Sequence, residues 1–172
     1  MKQGRSLQDL AKELKRQNET KRDFISPVGK LRIQSEWSDK PNPADGGVQV
    51  LLGKEKFKLS ELANDQLARR LEIPVKYYDR MRHDAPGLLE KNANHWLQAN
   101  ETDKVMVRTL DGNARAFLSD RFRPLDNYDM AESVLPTLAE MKVDVVSCEV
   151  TDGHMYIKAV TKKITAEISK GD

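Results

Sequence analysis

The chain has 172 residues, of which 38% are hydrophobic and 33% charged, and a net charge of +2. That balance suits a globular core under a charged surface, and no run approaches the roughly 20 apolar residues that span a bilayer. The opening MKQGRSLQDLAKEL lacks the apolar stretch of a secretory signal, and the single cysteine, Cys148, has no partner for an internal disulfide, so a core thiol in a reducing, cytoplasmic setting is expected.

The charge is uneven. Residues 1–32 carry nine Lys or Arg against four Asp or Glu, and residues 101–172 carry ten against thirteen. A basic end offers a surface to an anionic partner, or is simply a solvated arm. SLQDLAKELKRQNETKR predicts a helix capped by Ser6, with a narrow stripe of Leu7, Leu10, Ala11 and Leu14. Beyond Leu14 it is polar all round, so residues 1–24 are expected to be a basic arm that frays or docks on a partner. Leu31 to Trp37 alternates like a strand, and SDKPNPADGG reads as a loop.

VQVLLGKEKFKL predicts a hairpin turning at Gly53-Lys54. Lys54, Lys56 and Lys58 are then expected on one face of its second strand, because strand side chains alternate. Ser60 caps the next predicted helix, which bears Leu62, Ala63, Leu67, Ala68 and Leu71. After Glu72-Ile73 a second helix opens at Pro74, and a third follows Pro86. An alanine on the first helix, a short turn and Ile73-Pro74 together resemble a helix-turn-helix DNA reader. A purely structural hairpin explains the same residues, since Glu72 stands where glycine is usual and both tyrosines of VKYYDRMRHD suit a core.

Further on, KVMVRTL and NARAFLS predict strands joined at Asp111-Gly112, and VDVVSCEV and HMYIKAV a pair joined at Asp152-Gly153. Between them MAESVLPTLAEM is helical, capped by Asn127 or Asp129, with a kink at Pro136 and an apolar face of Met130, Val134, Leu138 and Met141. The expected fold is α+β: antiparallel hairpins with that helix packed on their sheet, plus the helical segment in the middle of the chain. Residues 25–172 are expected to form one domain.

The densest chemistry lies in RAFLSDRFRPLDNYD, Arg115 to Asp129, with three arginines, three aspartates and three aromatics. In an extended chain Arg121 and Arg123 project to one side, and paired guanidiniums suit phosphate oxygens. Arg–Asp pairing that fastens the loop accounts for the same residues. Asp120, Asp126 and Asp129 lack the glycine and glutamate spacing of a calcium loop. His83, His95 and His154 are scattered, and neither they nor Cys148 stand in a nucleophile, zinc or phosphate-loop pattern.

Three stretches, LARRLEIPVKYYDRM, NANHWL and RTLDGNARAFLSDRFRPLDNYDMAESVLPTL, resemble the bacterial, phage and plasmid proteins grouped as domain-of-unknown-function family 932. The resemblance runs from about Leu59 to Val160. It implies a mobile-element protein whose relatives run on past this chain, so EISKGD reads as the start of a further segment and the chain as an N-terminal portion. The general plan is similar to that of phage single-strand annealing recombinases, an analogy of fold only.

The reading that follows is a non-enzymatic protein binding single-stranded DNA in recombination or replication. Its contacts are expected from Arg115, Arg121, Arg123, Lys54, Lys56 and Lys58, with no catalytic residue, metal or cofactor. Single-stranded DNA and further copies of the chain are the expected partners, and a membrane is not. The alternative is an interaction or regulatory module of a mobile element whose arginines pair internally. A metal-dependent enzyme built on Asp120 to Asp129 is the third reading.

Overall fold

A computed structural model describes residues 6–35, 47–151 and 154–160. Most of the loop expected at 38–47, the Asp152-Gly153 turn and EISKGD lie outside the described residues. The elements in chain order are α1 (Leu7–Thr20), β1 (Arg22–Pro27), β2 (Leu31–Ser35), β3 (Val48–Leu52), β4 (Glu55–Leu59), α2 (Glu61–Arg70), α3 (Val75–Asp84), α4 (Pro86–Ala99), β5 (Lys104–Leu110), β6 (Asn113–Ser119), α5 (Asn127–Glu140), β7 (Asp144–Val150) and β8 (Met155–Val160). The fold is α+β. It divides otherwise than expected: one compact unit is Thr20–Arg123, and the other joins Met1–Glu19 to Pro124–Asp172. Each unit closes its own hydrophobic core.

In the larger unit six strands run in the order β1-β5-β6-β4-β3-β2, antiparallel throughout except where β4 meets β6. The edge strands β1 and β2 are consecutive in the chain, joined only by a 3-10 turn at Val28–Lys30. Four residue steps reach about 14 Å at most, whereas six flat strands would hold their edges about 24 Å apart. The sheet must therefore curl. Gly29 makes that join possible, since a Cβ there would lie 2.5 Å from the Glu101 Cβ.

Alternation then sorts the side chains. Ile33, Val50, Phe57, Val105, Val107 and Phe117 bury on one face with Leu67 of α2 and Leu89 and Leu97 of α4. Val50 lies opposite Phe57, and Val107 opposite Phe117. The two hairpin turns of this unit are those expected. Gly53 at φ 63 supplies the left-handed residue of the first, and Asp111 at φ 53 with Gly112 at φ 75 makes the second.

In the smaller unit α1, α5 and the β7–β8 pair enclose Leu10, Leu14, Ala131 and Cys148. Leu10 and Leu14 are 0% and 2% exposed, so the amino-terminal helix is a core element rather than a frayed arm. β5–β6 and β7–β8 belong to different sheets, and α5 packs on the β7–β8 pair. Its apolar face also differs from expectation. Met130, Val134 and Met141 are 41%, 41% and 53% exposed, while Ala131 is buried and Tyr128 and Leu135 pack against the cluster.

Candidate nucleic-acid interface

The six expected contact residues all fall within the larger unit but occupy four places. Lys56 and Lys58 stand exposed on the sheet face opposite the core, because Phe57 between them points inward. Register aligns Lys56 with Leu51 and Arg32, and Lys58 with Gln49 and Gln34. Arg32 thus joins the lysine face, a neighbour that only strand pairing reveals. Its Nη1 is held by the Gly29 and Leu31 carbonyls at 2.6 and 2.8 Å. Lys54 does not share that face as expected. It is the second residue of the Gly53-Lys54 turn, one position before β4 begins.

Arg115 sits at an irregularity of β6, where the β5 register shifts beside Arg108 and Thr109. It is half-buried and already partnered, and its carbonyl accepts the Ser60 hydroxyl at 3.0 Å. The bulge removes it from the regular alternation.

Arg121 lies in the turn that ends β6 and Arg123 in the irregular segment after it, so neither is on a strand, and Phe122 is 39% exposed between them. Ser119 organises this turn: its hydroxyl accepts the Arg121 N–H at 3.2 Å and donates to Asp120 at 3.4 Å, and its carbonyl accepts the Phe122 N–H at 3.0 Å. Asp126 and Asp129 form a capping box at the start of α5, with the Asp126 N–H donating to Asp129 Oδ2 at 3.4 Å. Asp120 orients neither neighbouring arginine. Among the described residues the guanidiniums of Arg121 and Arg123 have no ion-pair or hydrogen-bond partner. No group of three His, Cys, Asp or Glu able to hold a metal comes together among the described residues.

The strand directions fix the spacing of these places. β4 and β6 run parallel and pair Lys58 with Asn113. Six residues separate Asn113 from Ser119, about 20 Å along the strand. Lys56 lies further back and Arg121 further on, so the lysine face and the arginine turn mark opposite ends of one sheet.

The strongest charge pairing lies elsewhere. Arg82 of α3 is 5% exposed and donates to both oxygens of Glu61, at 3.0 and 2.9 Å. Beside it the Tyr78 hydroxyl donates to Asn64 Oδ1 at 3.0 Å, and burial pushes that phenol up from its ordinary pKa. Nothing in the sequence marked this network, since its partners lie 14 and 21 residues apart on two helices. The histidines remain separate: His95 lies edge-on to Trp96 at 5.1 Å, and His154 stacks on Tyr156 at 5.7 Å. Compared with protein-family models, curated proteins and solved structures, the chain matches none.

Proposed function

We propose that this protein binds single-stranded nucleic acid without catalysing a reaction. The observation that carries the reading is the Arg121-Phe122-Arg123 segment: two exposed guanidiniums, without partners among the described residues, flank an exposed aromatic ring. Single strands are held by that combination, cations for the phosphates and a ring on which a base stacks. Charge supports it, since residues 20–123 carry nineteen Lys or Arg against fifteen Asp or Glu. The exposed Lys56 and Lys58, about 20 Å or more away, give a strand of several nucleotides a second anchor.

The resemblance to family 932 favours a mobile-element setting, in recombination or replication, inside the reducing cytoplasm. The competing interaction-module reading has Arg121 and Arg123 paired internally, and among the described residues neither guanidinium has a partner. Binding of a labelled oligonucleotide across a salt series tests the proposal. Arg121→Ala with Arg123→Ala is expected to weaken single-strand binding and to make the log–log salt slope shallower by about 1.4, or 0.7 per phosphate contact. Phe122→Ala is expected to cost about 1–3 kcal/mol of binding. An unchanged slope with a lowered melting temperature would assign the arginines to stability instead.

A further inference from the structure

The α2–α3 hairpin takes no part in the site above. Its inward positions are Leu67, Ala68, Leu71, Ile73, Tyr78 and Met81, all between 0% and 7% exposed. Between the helices only Leu71 to Pro74 intervene. Glu72 turns the chain at φ 55, and the Ile73 N–H closes the turn on the Ala68 carbonyl at 2.9 Å. The residue that departs from the glycine habit of helix-turn-helix motifs thus adopts the conformation glycine would take.

α3 packs chiefly on α2 and α4, not on the sheet. Tyr78, Met81 and Arg82 face that packing, which leaves Lys76, Tyr77 and Arg80 together on the solvent side, Tyr77 being 47% exposed. The nearby acids are largely engaged. Glu61 and Asp79 both lie against buried Arg82, at 2.9 and 3.5 Å. Asp84 meets Arg80 only at 3.7 Å with both side chains at least 70% exposed, a contact that yields to a phosphate at little cost. Arg69 and Arg70 stand in the last turn of α2, just before the turn that leads into α3. A ten-residue helix bearing cations on its outer face, held by a short turn on a second helix, is the form that enters the major groove.

We propose that α3 is a second nucleic-acid surface, distinct from the Arg121–Arg123 turn, and that it binds duplex DNA in the major groove through Lys76, Tyr77 and Arg80. The test measures binding of the intact chain to a labelled mixed-sequence duplex of about two turns and to one of its single strands, between about 50 and 200 mM salt. Lys76→Ala with Arg80→Ala is expected to weaken the duplex complex and to make its log–log salt slope shallower by about 1.8, or 0.9 per lost contact. Single-strand binding and melting temperature are expected to stay at wild-type values. Arg121→Ala with Arg123→Ala is expected to do the converse, so either surface can fail without the other. Wild-type protein that leaves the duplex unbound at the lowest salt would overturn the proposal. So would a Lys76/Arg80 variant that keeps the wild-type duplex slope, or one that loses both ligands equally.

Discussion

Arg82 makes the largest electrostatic demand of any single residue in the larger unit. A guanidinium 5% exposed needs compensation, and Glu61 supplies it with two hydrogen bonds. Its Nε has no partner among the described residues, and beyond Glu61 the guanidinium meets Asp79 at 3.5 Å and the His83 Nε2 at 3.3 Å. The hydrogen bonds from Arg82 hold the Glu61 carboxyl below its ordinary range against a smaller opposing effect of burial. A carboxyl whose pKa is lowered by folding stabilises the protein above its unfolded value. That contribution fades as pH falls through the folded value. The Glu61 side chain is itself 80% exposed, so solvent screens the pair, and Glu61→Gln is expected to cost no more than about 1 kcal/mol near neutrality and to flatten the acid limb of stability, both read by urea unfolding at several pH values. A variant as stable and as acid-sensitive as wild type would show that the pair contributes nothing. Glu72 offers the opposite change. Left-handed backbone costs a side-chain-bearing residue about 1–2 kcal/mol, partly offset by glycine's greater freedom when unfolded. Glu72→Gly is expected to raise stability by about 0.5–1 kcal/mol in the same measurement; a loss of stability would place other interactions of the glutamate above its backbone strain.

Among the elements α5 separates pattern from packing most clearly. Met130, Val134, Leu138 and Met141 repeat at helical spacing and look like a core face, yet three of them are more than 40% exposed. The face that packs, Tyr128, Ala131 and Leu135, has the same spacing one residue on. A helix carrying two apolar stripes does not announce which one its partner covers, and a small residue such as Ala131 marks closest approach better than a large one. Ala131→Leu is accordingly expected to destabilise by about 1–3 kcal/mol through overpacking, and Val134→Thr to stay within about 0.5 kcal/mol. The reverse order in thermal or urea unfolding would restore the face read from the sequence. The hairpins behaved differently because their signal is local. Gly53-Lys54 and Asp111-Gly112 supply the left-handed residues that two-residue turns require, and both turns lie where those residues stand.

For the whole molecule, the separation into two hydrophobic clusters has a measurable consequence. Leu14 is 2% exposed and belongs to the cluster of the smaller unit. Leu14→Ala is expected to destabilise that unit by about 2–5 kcal/mol. Hydrogen exchange should accelerate in α1, α5 and β7–β8, with the amides of β5 and β6 least affected. Equal acceleration everywhere would mean one cooperative core, and no acceleration would return α1 to the solvated arm its composition suggested. The sequence by itself determined the α+β class, the helical middle of the chain, the β3–β4 and β5–β6 turns and the position of the charged segment at 115–129. Those features rest on periodicity and turn chemistry within a few residues of each other. Only the tertiary structure decided which strands are neighbours. It placed β1 and β2 on opposite edges of a curled sheet, drew Leu10 and Leu14 to residues more than a hundred positions away, and set Arg32 on the same sheet face as Lys56, two strands across. It also decided how Arg115 differs from Arg121, the first half-buried where the β5–β6 register shifts and the second exposed beyond the end of β6. Such differences depend on contacts that are distant in sequence, and no local pattern of residue types encodes which partner a side chain will meet.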